Sequence, residues 1–173
     1  MADLNYVKSI GELITPRLLA SSLSWTAGGA SDSVTWTGYS IDRGAFANGG
    51  LPRSASILVA YDLTLASGSS FALTFDIQDS PDGSNWSDYA TEAYFVVATG
   101  PSGGGHVSGV ARFSGAANNA NAPAGTPGVD LAMARRYVRC NVVPHMTRTG
   151  TDTGVLTVIG EFGGFDLLAA PKS

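Results

Sequence analysis

Three aspartates near one turn, Asp79, Asp82 and Asp88, are the residues of this chain that first suggest chemistry. A calcium ion takes several oxygens from a tight loop, usually spaced as D-x-[DN]-x-[DN]-G. The stretch Asp79-Ser80-Pro81-Asp82-Gly83-Ser84 breaks that spacing, because Pro81 takes the third position and Ser84 follows Gly83. Pro-Asp-Gly matches a type I turn instead, with Pro81 at i+1 and Gly83 supplying a positive φ. The two histidines, His106 after a triple glycine and His145 after Pro144, stand in no metal-ligand spacing and read as surface or turn residues. Cys140 falls on the same side of its strand as Val138 and Val142, as a buried thiol does, and no motif places a base beside it. One cysteine makes neither an internal disulfide nor a cysteine zinc cluster. The run GPSGGG lacks the Lys-Ser/Thr ending of a phosphate-binding loop. Trp25, Trp36, Trp86, Tyr89 and Tyr94 are the residues a sugar-binding sandwich would use, but each reads as a core or turn-anchoring aromatic. The expectation is a non-catalytic protein, not an enzyme, with no cofactor and no metal.

The elements that must carry these residues are strands. In Phe71 to Ile77, Phe71, Leu73, Phe75 and Ile77 alternate with Ala72, Thr74 and Asp76, a period of two that sends one row to a core. With Ser56 to Leu65 before it and the Gly/Ser stretch ASGSS between, this segment reads as a hairpin that runs on through the Pro-Asp-Gly turn to Trp86 and Asp88. Two short strands are expected around AGGASD within Leu23–Tyr39, then a Gly/Asn-rich loop over 41–52. Further strands are expected over 92–98, 106–113, 135–143 and 154–162. No helical pattern of ten or more residues stands out. The fold class that follows is all-β: an antiparallel sandwich or barrel, jelly-roll-like, of about 7–9 strands.

Length and composition suit one domain with a core of its own. No apolar run reaches the ~18 residues of a membrane helix, and the start lacks the pattern of a secretory signal, so neither a membrane nor a leader is expected. Only 14% of the 173 residues are charged, against roughly 25% in typical soluble domains, and 22 are glycine. Such a chain either keeps part of its surface against another protein or covers itself with Ser, Thr and Asn. The net charge of −4 gives a nucleic-acid partner no electrostatic support. Six acids and no Lys or Arg lie between Arg53 and Arg112, whereas five arginines and one acid span Arg112 to Arg148. These blocks either neutralise each other within the fold or make opposed faces.

Two segments fall outside the regular pattern. Residues 1–22 form an apolar arm without a clear period, expected to lie across a neighbour or, alternatively, to add an edge strand; Thr15-Pro16 reads as a helix start or turn. Residues 23–173 make the single β domain. Within it, residues 99–128 contain the low-complexity, uncharged run SGAANNANAPAGTPG, too poor in apolar area to order itself.

Three stretches, DIQDSPDGSNWSDY (Asp76–Tyr89), RRYVRCNVV (Arg135–Val143) and TGVLTVIGEFGGF (Thr153–Phe165), resemble small structural proteins encoded beside the capsid gene in tailed bacteriophages. The resemblance covers roughly the C-terminal two-thirds of the domain. It implies a capsid decoration or cement protein on the virion exterior that binds the major capsid protein, stabilises contacts between capsomers and assembles as a homo-oligomer, a trimer favoured. Residues 2–22 and 99–128, which match no part of that pattern, are expected to carry much of the contact with capsid or sister subunits; the candidate interface residues are Leu4, Tyr6, Val7, Ile10, Leu13, Ile14 and Arg17 in the arm, with Arg135 and Arg139. A tail-tube or other tail component and a carbohydrate-binding module are the alternatives.

Overall fold

The computed structural model describes residues 14–46, 50–113, 128–147 and 151–165. Within them the chain is a sandwich of two antiparallel sheets. The strands are β1 (Ile14–Thr26), β2 (Trp36–Thr37), β3 (Ile41–Asp42), β4 (Ser54–Leu65), β5 (Ser70–Ser80), β6 (Ser87–Thr99), β7 (Gly105–Phe113), β8 (Val129–Asp130), β9 (Tyr137–Met146) and β10 (Thr153–Gly163). Sheet A runs β1-β10-β4-β7, with β8 pairing the start of β4. Sheet B runs β2-β9-β5-β6, with β3 also on β9. Taking β2 with β3 as one position and setting β8 aside, successive strands change sheet at every connection except β5 to β6, and the result is an eight-position jelly roll.

That order corrects one expectation. Ser56–Leu65 and Phe71–Gln78 are both strands, yet they do not pair: β4 lies in sheet A between β10 and β7, and β5 lies in sheet B between β9 and β6. The ASGSS link is a crossover from one sheet to the other. Asp152 holds it, its Oδ1 accepting from Ala66 N–H at 2.7 Å. Among the described strands, the one hairpin within a sheet is β5–β6, joined through the Pro-Asp-Gly turn. A period of two told which faces were inward but carried no information on which strand each edge would meet.

The core lies between the sheets. Leu156 and Val158 of β10, Val59 and Leu63 of β4, Phe71, Leu73 and Phe75 of β5, and Val138, Cys140 and Val142 of β9 are all buried. Trp25 of β1 stacks on Phe71, centroids 5.1 Å apart, and ties the sheets at one end. Trp36 lies in β2 of the other sheet, so the expected pair of strands around AGGASD is split between layers.

The arm expected over 1–22 is described only from Ile14. From there it is a strand: β1 pairs β10 from Ile14↔Gly163 to Thr26↔Thr153, running past residue 22. Thr15-Pro16 starts neither a helix nor a turn, since Pro16 sits opposite Glu161 on an edge strand, where a missing N–H is tolerated. The register slips between Leu18 and Leu23, where Ser22 takes a positive φ of 53°. At that irregularity β1 turns toward sheet B, and Tyr39 N–H donates to Leu19 C=O at 2.7 Å. The approach is tight: a Cβ on Gly38 would stand 2.1 Å from the Cys140 carbonyl oxygen.

A buried arginine organises one end. Arg43 sits in a short 3-10 turn (residues 43–45) and is 1% exposed. Its Nη1 donates to the carbonyls of Ala134 and Arg135, and its Nη2 to those of Pro52 (2.6 Å) and Leu131 (2.7 Å). One side chain thereby fastens the entry to β4, the exit from β8 and the approach to β9. What read as a Gly/Asn-rich loop over 41–52 contains this knot.

Candidate interaction face

The acids that first suggested a ligand site serve the fold. Asp82 accepts from Ser84 N–H (2.9 Å), Asn85 N–H (2.8 Å) and Asn85 Nδ2 (2.7 Å). These bonds, those from the Asn85 and Ser84 backbone first, hold its carboxyl far below the ordinary range. Ser80 Oγ accepts from Gly83 N–H at 2.9 Å, and Gly83 takes φ 77°, as the turn requires. Asp79 is buried, which by itself would raise its pKa; hydrogen bonds from the Arg135 side chain and backbone outweigh that and lower it. Arg135 N–H and Nε each reach it at 2.8 Å. Asp88 takes the Gln78 amide at 2.8 Å. Among the described residues no group of three His, Cys, Asp or Glu could hold a metal.

The candidate interface residues part company. Leu4, Tyr6, Val7, Ile10 and Leu13 lie outside the described residues. Ile14 and Arg17 are on β1, where the Arg17 guanidinium stands 4.6 Å over the Phe46 ring. Arg135 is bound to Asp79 at the end of sheet B. Arg139 donates two hydrogen bonds to Gln78 Oε1, at 2.9 and 2.7 Å, and lies 4.3 Å over Trp86. The structure therefore places Ile14 and Arg17 on one sheet and Arg139 on the other. The acidic and basic blocks meet in part: Arg135 pairs with Asp79, whereas Arg136 pairs with Asp42 and Arg112 with Glu161, both acids beyond the acidic block.

His145 lies within β9 rather than at a turn, its ring between Ser33 Oγ and Thr74 Oγ1, each at 3.2 Å. The aromatics considered for a sugar site also have structural work. Trp25 is in the core, Trp36 Nε1 donates to Ser31 C=O at 3.4 Å, and Tyr89 Oη donates to Asp130 C=O at 2.8 Å. The side chain of Tyr94 lies outside what is described.

What the sandwich leaves for a partner is the outer face of sheet A. The register lines its outward residues into rows across the strands. Leu18, Ile159, Leu58 and Arg112 form one row; Thr157, Ala60 and Val110 form the next; Ser24, Val155, Asp62 and Ser108 follow; Thr26, Thr153, Thr64 and His106 close the face. Leu18 is 44% exposed, Val155 45% and Val110 66%. The middle of this face is thus apolar. Its charges border these apolar residues: Arg112, in the row of Leu58, bonds Glu161 at 3.0 Å, and Asp62, in the row of Val155, bonds His106 at 2.7 Å. Sheet B's outer side is instead occupied by polar contacts such as Arg139–Gln78 and Gln78–Asp88. An apolar centre with a polar rim is the anatomy of a protein interface. At the hydroxyl-rich end, a groove of about 510 Å³ opens between Ser24, Thr26, Thr64, Thr153 and the 29–31 loop.

The sequence held a signal for this face. ILVA in β4 is a continuous apolar run and VLTVI in β10 is broken only by Thr157, rather than alternating, as in strands whose two faces are both covered.

No family model and no curated protein matches the chain. Among solved structures it is similar to that of infectious bursal disease virus Gx strain, at 10% identity and TM-score 0.42 over 88% of this chain and 32% of that one. The Gt strain structure aligns at 12% identity and TM-score 0.39, over 89% and 34%. The VP2 subviral particle of the same virus aligns at 13% and 0.34, over 87% and 33%. The chain spans about a third of the length of these chains. Likeness this loose carries no functional inference.

Proposed function

We propose that this protein is a structural component of a virion: a capsid decoration (cement) protein that binds the outer surface of a tailed-phage head, contacts the major capsid protein and stabilises contacts between capsomers. The observation that carries the reading is the outer face of sheet A, an apolar surface bordered by charges on a rigid jelly roll whose other charged groups are largely engaged in holding loops. Double-sheet jelly rolls recur in viral capsid and lectin domains, which agrees with the reading without deciding it, since fold alone does not fix function. The sequence resemblance supplies the exterior position and the trimer at local three-fold sites; the role of the arm, which the resemblance does not cover, is proposed from its apolar, aperiodic sequence.

The test is retention on expanded heads, measured by co-sedimentation. Leu18→Asp and Val155→Asp each put a charge on the apolar face and are expected to lower retention at least tenfold while the purified chain stays folded. Deleting residues 2–14 is expected to lower it as well. Unchanged retention of both aspartate variants would remove the face from the proposal, and unchanged retention of the deletion would remove the arm.

A second reading rests on the groove beside Thr153. Its hydroxyls suit a polyhydroxylated ligand, and glycan-array binding lost in Thr153→Val would favour a carbohydrate-binding module over a cement protein.

A further inference from the structure

The two seams of the sandwich are unlike. Along one, β1 closes onto the β2–β3 side of sheet B through the Tyr39–Leu19 backbone bond and the tight passage at Gly38. Along the other, β7 ends sheet A, and among the described residues no strand pairs with its outer edge. That edge is regular. Gly105–Phe113 pairs β4 over nine consecutive positions, from Leu65↔Gly105 to Ile57↔Phe113, without a register shift. It contains no proline or lysine. Natural sheets ordinarily blunt an exposed edge with those residues, with bulges or with a covering segment. β6, which ends sheet B at the same seam, does carry irregularities, with three register shifts against β5.

We propose that β7 pairs antiparallel with β7 of a second copy of this chain, about a two-fold axis at Gly109, so that the two A sheets become one continuous sheet. Three features select this register. Gly109 is the midpoint of the strand, so all nine residues pair, the longest overlap the edge allows. The outward row then meets the partner's outward row: Ser108 stands opposite the partner's Val110, and His106 opposite the partner's Arg112. His106 Nε2 is already engaged with Asp62 Oδ1 at 2.7 Å, so the partner's Arg112 arrives beside an imidazole–carboxylate pair. Arg112 keeps its own contacts to Glu161 (3.0 Å) and Ser56 (3.1 Å), which hold it on the outer face. By symmetry this happens twice. Sliding the pairing by two residues sets Arg112 opposite Ser108 in one direction and opposite Gly104, beyond the strand, in the other. Sliding it by one turns the outward row to the inner face.

The third feature is the axis itself. On its inner side Gly109 lies under Tyr61, close enough that a Cβ would stand 2.7 Å from Tyr61 Oη. With glycine in both copies, no side-chain pair stands at the symmetry point. Pairing also covers part of Val110, the most exposed valine of the face. The contact belongs to the chain alone, so it stands or falls separately from binding to a shell.

The experiment resolves register as well as association. Full-length chains carrying Ser108→Cys or Val110→Cys are mixed, oxidised mildly and run without reductant, alongside each alone; Cys140 is buried and stays silent. Directly opposed antiparallel residues lie within the Cα separation a disulfide spans. The expected result is a cross-linked dimer in the mixture at least fivefold above either variant alone. Light scattering of the unsubstituted chain is expected to show a dimer, or a hexamer in which this edge joins two trimers, that Val110→Lys with Arg112→Glu splits to monomers or trimers while circular dichroism stays unchanged. A monomer at every concentration, a trimer without the mixed cross-link, or stronger cross-linking of one variant with itself would overturn the proposal.

Discussion

Replacing Arg43 with alanine gives the sharpest test of how this fold is held. The guanidinium is 1% exposed and donates to four backbone carbonyls, those of Pro52, Leu131, Ala134 and Arg135. A hydrogen bond to a charged donor contributes roughly 1.5–3 kcal/mol, so four of them set an upper bound of about 6–12 kcal/mol. Water entering the vacated volume recovers part of this. The expected loss is therefore about 3–5 kcal/mol, the range typical when one member of a buried ionic network is removed. A domain of this size has ~5–15 kcal/mol in total, so the variant should still fold. Its melting temperature should drop by about 2–4 °C for each kcal/mol. Urea unfolding followed by tryptophan fluorescence reads this well, because Trp25 is buried against Phe71 and reports on the core. Arg43→Lys completes the test. An ammonium is a point with three donors and cannot span acceptors fixed around a planar fork, so lysine should restore less than half of the loss. An alanine variant within about 1 kcal/mol of the unsubstituted chain, or full recovery by lysine, would refute the claim that this side chain knots its own loop to the β8–β9 connection.

The other predictions concern the closed seam and acid stability. Gly38→Ala should cost about 2–4 kcal/mol, since its Cβ would stand 2.1 Å from one backbone oxygen and 2.8 Å from another. Hydrogen exchange at Tyr39 N–H should accelerate with it, and unaltered protection there would mean that the seam can widen freely. Asp79 has a lowered pKa in the folded chain, so its contribution is complete above the ordinary carboxylate value of about 3.9 and drains away as pH falls below it. Asp79→Asn should therefore be less stable than the unsubstituted chain at pH 7, and the gap should narrow as pH falls below the ordinary carboxylate value. A stability gap that stays constant across that range would show that the Arg135 contact depends on shape rather than charge.

The strands were legible because their cause is local. A period of two in Phe71–Ile77 or in RRYVRCNVV follows from the geometry of an extended chain with one side in a core, and β4, β5, β7, β9 and β10 fall where that pattern placed them. The Pro-Asp-Gly turn was legible for the same reason: Pro81 and Gly83 dictate backbone angles without help from distant residues. The carboxylates were legible only as far as their own loop. Asp82 bonds within it, but that Asp79 would face Arg135 depended on β5 and β9 becoming neighbours, which no spacing records.

Sequence by itself thus determined an all-β chain, its inward rows and the absence of a catalytic spacing in its motifs, because each depends on residues a few positions apart. Tertiary structure alone decided the pairing: that β4 and β5 part into different sheets, that Arg43 gathers carbonyls from its own β3–β4 connection and from the β8–β9 connection, and that Leu18, Leu58, Val110, Val155 and Ile159 share one outer face. Those relations join residues up to about a hundred positions and more apart. They are set by which edges meet when two layers close over one core, and a periodicity of two is blind to that choice.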